Sequence, residues 1–216
     1  MPDITLWGRL NSSNVQKATW TLAELGFAFE QISVGGPYKG LDDPRYRAMN
    51  PNGLVPTLRD GDLLLWESHA IVRYLCARYA SGLLWPTDPV ERAIVDQWTD
   101  WTATTFGPAW TPVFWKVVRT PVEQQDPQAI KTAVEDANRQ FEIMEARLEQ
   151  SPYLGGDSFS YADIVAGVAM YRWVRMPIER RDLPAVERWH TRLLERPAFQ
   201  EAVCVPYDDL MGKLSF

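Results

Sequence analysis

Apolar residues at Val15, Ala18, Leu22 and Leu25 recur at three- and four-residue steps until Gly26 closes the run, which predicts a helix. Ahead of it, "DITLW" (residues 3–7) reads as a short strand. Behind it, "FAFEQISV" (residues 27–34) alternates and reads as a second. A helical segment between two strands is a crossover, so this pair is expected to run parallel. A loop rich in Gly and Pro, "GGPYKGLDDP", follows, and then a short helix over residues 45–49.

The pattern next turns to a hairpin. In "LVPTLRDGDLLLWES", strands over residues 55–59 and 63–66 flank Asp60-Gly61-Asp62, a strong turn signal. Helical periodicity resumes at Ser68, with Ile71, Tyr74, Leu75 and Tyr79 on one side. After the linker "SGLLWPTDP" every periodic run is helical. One long helix carries Ile130, Ala133, Ala137, Phe141, Met144 and Leu148, and another is expected to kink at Gly107-Pro108 and Pro112. The reading is a β-α-β, β-β-α unit over 1–80, a linker at 81–88 and an all-helical unit over 89–216.

Composition narrows the partners. The 216 residues carry a net charge of −6, with a pI near 5.0, so no basic field draws in nucleic acid or an anionic membrane. No apolar run reaches the roughly 18–20 residues that span a bilayer, and "MPDITLWGR" lacks the features of a signal peptide. Cys76 and Cys204 are the only cysteines, without metal spacing, and His69 and His190 are too few for a typical zinc site. A reducing cytoplasm and no bound metal are the expectations. Cys76 reads as packing, and His69 as a solvated helix residue.

Three motifs carry chemistry. Pro56 opens a strand where it removes a ladder donor. Glu67-Ser68 stands at a helix start, whose unpaired N–H groups favour an anion. "NSSN" (residues 11–14) places several helix-capping residues where one would suffice. In "GGDSFSYADIVAG", Ser160 and Asp163 form a capping box before an apolar run, so Asp163 reads as buried and structural.

Element order and these motifs together resemble a soluble bacterial glutathione transferase with a serine/asparagine-type active site, over essentially the whole chain. The resemblance implies a thioredoxin-like α/β N-terminal domain that binds glutathione, plus an all-α C-terminal domain. It implies that the bond before Pro56 is cis and that Val55 turns its backbone to the cysteinyl part of glutathione. Glu67 and Ser68 would hold the γ-glutamyl ammonium and carboxylate, and Lys39 the glycyl carboxylate. Ser12 matches the position of the catalytic hydroxyl, with Asn11 second; Ser13 stands where other members keep a cysteine, which disfavours disulfide exchange. Trp110 and Trp115 would line an apolar co-substrate pocket, while Trp173 and Trp189 belong to the core. A homodimer is implied by resemblance alone.

The chemistry needs a thiolate. A thiol of pKa ~8.5 is about 3% ionised at pH 7, and lowering it by about two units ionises roughly three-quarters of it. That shift is ~2.7 kcal/mol. One hydrogen bond to a charged acceptor is worth ~1.5–3 kcal/mol, and a helix N-terminus adds ~0.3–1. The expected activity is attack of the glutathione thiolate on an apolar electrophile by conjugation, halide displacement or peroxide reduction, a detoxifying role. The alternative is a carrier that keeps the fold without the catalysis.

Overall fold

The structure is a computed structural model that describes residues 3–215. Strands β1 (Ile4–Trp7), β2 (Glu30–Ile32), β3 (Thr57–Asp60) and β4 (Leu63–Trp66) form one sheet in the order β2-β1-β3-β4. β1 and β2 run parallel, joined by helix α1 (Ser13–Glu24), and the other two pairings are antiparallel. Helix α2 (Pro44–Met49) precedes β3, and α3 (Ser68–Tyr79) follows β4. Ile4, Leu6 and Leu58 of the sheet bury themselves against Val15, Ala18 and Leu22 of α1 and Ile71 and Leu75 of α3.

Two strands are shorter than the pattern suggests. β2 is an edge strand whose only partner, β1, offers it a three-residue register from Thr5 to Trp7. Phe27 leaves the ladder to pack edge-on against Tyr79. β3 starts at Thr57 because Pro56 has no N–H to donate.

The rest is helical: α4 (Pro89–Trp101), α5 (Gly107–Phe114), α6 (Pro127–Leu148), α7 (Tyr161–Gly167), α8 (Met170–Trp173), α9 (Pro184–Leu194) and α10 (Pro197–Ala202). An Asp-Pro pair opens α2, α4 and α6. In each, the Asp carboxylate accepts from the backbone of the first turn, one N–H in α2 and two in α4 and α6, and the proline occupies a position that needs no N–H. The Ser160–Asp163 capping box opens α7 as expected. Asp163 is fully buried and accepts from the backbone N–H groups of Leu154 and Ser160 (2.9 Å each) and from Trp189 Nε1 (2.9 Å).

The anticipated kink takes another form. α4 runs into α5 through a π-helical turn, Thr102–Phe106, and α5 runs on through a second, Trp115–Arg119. Pro108 and Pro112 have no N–H to give; the flanking turns widen, so that the Gly107 N–H reaches the Thr102 carbonyl and that of Thr120 reaches Trp115. The larger apolar cluster joins Phe106, Phe141, Tyr161, Trp173 and Trp189 to Trp20, Val72 and Cys76 of the sheet-bearing half, so the two halves share a core.

Candidate active site

A cavity of about 450 Å³ opens where the start of α1 and the Leu54–Val55 segment face the α5 region and α8. Of the residues expected to act, Asn11, Ser12, Val55, Trp110 and Trp115 line it. Pro56 is buried behind Val55, and the peptide bond between them is cis. Tyr46 and Asn50 bracket this pair. The Tyr46 hydroxyl donates to the Leu54 carbonyl (2.6 Å) and pairs with Thr57 Oγ1 (3.0 Å), and Asn50 Nδ2 donates to both (2.9 and 3.1 Å).

Ser12 occupies the N-cap position of α1, yet its hydroxyl makes no capping hydrogen bond and lies at the cavity wall, 7% exposed. Asn14 Oδ1 instead accepts from Lys17 Nζ (3.0 Å). Asn11 Nδ2 donates to Asp209 Oδ1 (2.7 Å), which turns part of its amide toward the C-terminal segment. Its carbonyl accepts from Arg172 Nη2 (2.7 Å). Arg172 of α8 also donates to Gln16 Oε1 (3.0 Å), and Gln16 Nε2 donates to the Val203 carbonyl (3.2 Å). The guanidinium is almost fully buried between the rings of Phe114 and Tyr207, and burial pulls it down to about 10.

Glu67 and Ser68 stand at the mouth of α3 and are not among the residues that line the cavity, although the next residue, His69, is. Glu67 is exposed and holds a left-handed backbone, φ 73°, costly for a residue with a Cβ. Ser68 is buried, and its Oγ accepts from Lys17 Nζ (3.4 Å). Lys39, exposed, lines an adjoining groove that shares Arg9, Leu41, Trp115 and Arg119 with the cavity.

The pocket wall is not simply apolar. Trp110 is buried near Phe114, Trp115 is 41% exposed, and Arg119 stacks 4.4 Å above the Trp115 ring. Arg9, Lys17, Arg119 and Arg172 all line the cavity, and among the described residues no carboxylate does. His69 is likewise not the solvated residue the sequence suggests: its Nε2 lies 2.9 Å from Lys17 Nζ, and burial, with Lys17 and Arg73 nearby, pushes it down to about 3. Sequence reasoning passed over Lys17 and Arg172. Lys17 lies one helical turn past Ser13 and Asn14, a spacing that marks a shared face; Arg172 has no local signal at all.

The chain matches two family models, "Glutathione S-transferase, N-terminal domain" over residues 6–82 and "Glutathione S-transferase, C-terminal domain" over residues 102–197. It is 40% identical over 205 residues to the glutathione S-transferase GstB of Escherichia coli, covering 94% of this chain and 99% of the relative. Against the probable glutathione S-transferase GSTF2 of Oryza sativa the identity is 33%, over 93% and 96% of the two chains. Among solved structures, the theta class glutathione S-transferase of Xanthomonas axonopodis pv. citri with glutathione bound superposes with a TM-score of 0.92 at 50% identity, covering 95% of this chain and 99% of that one. With both halves matched in order and relatives aligned nearly end to end, the chain belongs to the glutathione S-transferase family.

Proposed function

We propose that this protein is a glutathione transferase that ionises the glutathione thiol and presents it to an electrophile. The observation that carries this reading is the convergence of Ser12, Val55, Trp110 and Trp115 on one cavity. In this arrangement the cysteinyl backbone pairs with Val55, and Glu67 and Ser68 take the γ-glutamyl end. Lys39 takes the glycyl carboxylate, and the Ser12 hydroxyl donates to sulfur. The freedom of that hydroxyl from capping supports its role. Asn11 is a weaker donor, because its amide is already drawn toward Asp209.

The thiol proton leaves to solvent, and sulfur attacks carbon in conjugation or displaces a halide that departs with the bonding pair. With a hydroperoxide, two glutathione molecules yield glutathione disulfide, an alcohol and water. Positioning and anion stabilisation are what the chain supplies. The aromatic wall formed by Trp110, Phe114 and Trp115 supports an apolar electrophile and a detoxifying role. Free Cys76 and Cys204 support residence in a reducing cytoplasm. The exposed apolar residues Leu63, Leu64 and Trp66 of edge strand β4 support a homodimer, which sedimentation velocity will report as a single species of twice the chain mass. Among the described residues no helix is long and apolar enough to cross a membrane.

The test is a calorimetric titration with glutathione followed by a screen of aryl halides, epoxides and hydroperoxides. Saturable binding and turnover of at least one class are expected. Binding without turnover of any class makes the chain a carrier, and absence of both overturns the reading.

A further inference from the structure

On the helical half, a groove of about 780 Å³ runs between the first three turns of α6 and the segment over residues 177–181 that leads from α8 toward α9. Among the described residues, none lines both this groove and the cavity of the candidate active site. Its floor is apolar: Val134 belongs to the main core cluster, and Ile130 and Ile178 pack against that cluster. Asn138 closes one end of the floor. It is only 5% exposed, and the little that is exposed opens on the groove, yet among the described residues its side chain makes no hydrogen bond.

A side-chain amide has two N–H donors and a carbonyl acceptor, and burying them unmet is costly. An amide placed at the end of an apolar floor therefore gains from a ligand with a hydroxyl or amide of its own. At the other end stands Lys131, exposed and without a hydrogen bond or ion pair among the described residues. The remaining charges at the rim are matched. Arg181 pairs with Glu135 and Glu142, and Glu179 and Arg180 are neighbours of opposite sign. Lys131 and Asn138 lie two turns apart on one face of α6, roughly 10 Å along its axis.

We propose that this groove is a second binding site, for an amphipathic carboxylic acid. The apolar body lies on Ile130, Val134 and Ile178, the carboxylate meets Lys131, and a hydroxyl or amide at the far end pairs with Asn138. A plain hydrocarbon would cover the Asn138 amide without giving it a partner, and a neutral ligand would leave Lys131 unmatched, so both ends set the preference. The site stands apart from the proposed function, because no residue assigned to the thiol chemistry lines it.

6-Hydroxy-2-naphthoate is the probe, since its flat apolar body carries the two polar groups at opposite ends. For comparison, 2-naphthoate lacks the hydroxyl and 2-naphthol lacks the carboxylate. Calorimetry at pH 7 on the unmodified protein, with S-hexylglutathione in excess to fill the candidate active site, is expected to show one hydroxynaphthoate bound per chain. It should bind about 3- to 10-fold tighter than 2-naphthoate, the size of one hydrogen bond. Against 2-naphthol the margin should be about 2- to 5-fold, the size of an exposed ion pair. N138L is expected to erase the first ratio and K131M the second, each leaving the affinity for S-hexylglutathione unchanged. Absence of binding, equal affinity for the three ligands, a hydroxyl preference that survives N138L, or displacement of hydroxynaphthoate by S-hexylglutathione overturns the assignment. The comparison among ligands needs no variant, so it decides even where N138L fails to fold.

Discussion

At Ser12 the backbone does the capping geometry and the hydroxyl is left over, which is what a thiolate donor requires. In the proposed arrangement, replacing it with alanine removes one charge-assisted hydrogen bond to sulfur. The thiol pKa of bound glutathione is expected to rise by about 1–2 units, read from the pH dependence of thiolate absorbance. Conjugation near neutral pH should slow about 3- to 25-fold, following the fall in thiolate fraction, while S-methylglutathione still binds. An unchanged thiol pKa assigns the donor to a neighbour in residues 11–14. Asp163 makes a different prediction. Burial pushes its carboxyl up to about 6 although several donors pull the other way. A folded value above the ordinary 3.8 means that folding takes up a proton between the two. Its contribution is therefore complete below about pH 4 and is lost as the pH climbs through 6. D163N should abolish that slope in urea melts and cost about 1–3 kcal/mol, since its NH₂ replaces one acceptor oxygen and leaves either Ser160 or the pair Leu154 and Trp189 without a partner. Among single residues, those announced by local chemistry were legible in place: Ser12 at a helix start, Ser160 and Asp163 at capping-box spacing, Pro56 before a strand. His69 was misread because its burial comes from α1 and α4, which no helical pattern around His69 records.

Elements show the same division. The Asp-Gly hairpin, the crossover behind β1 and the long periodic stretch of α6 were plain, because each writes its own period or turn into adjacent residues. The π turns were not. Two prolines predict a disturbance, but whether a helix breaks or widens depends on what holds its far side, here the packing of α5 on α6. Gly107 makes this widening testable. A Cβ there would stand 2.8 Å from the Thr102 carbonyl oxygen, the acceptor of the π-type hydrogen bond. G107A is expected to cost about 1–3 kcal/mol in urea denaturation. Because Trp110 follows one turn later, the variant should raise KM for the electrophile more than KM for glutathione. Equal stability to the parent would mean that the widened turn has room that its geometry does not indicate.

For the molecule as a whole, the decisive contacts are those between halves. Arg172 links α8 to the Asn11 carbonyl and to Gln16, Gln16 links on to Val203, and Arg196 pairs bidentately with Glu24, each Arg196–Glu24 contact 2.7 Å long. None of this was legible, since the partners are far apart in sequence and no periodicity joins them. R172M leaves the Asn11 carbonyl and the buried Gln16 without their donor, and a loss of about 2–4 kcal/mol is expected. R172K keeps the charge but not the two-pronged reach, and should recover only part of that stability. One denaturation transition, not two, is expected from the shared core around Trp20 and Trp189. The Arg172 bridge also bears on recombination among relatives. A chimera that grafts a foreign helical half onto this sheet would inherit an entry to α1 propped from outside its own segment, so under the proposed function activity should follow whether the donor brings an arginine at this site, however well the exchanged cores fit.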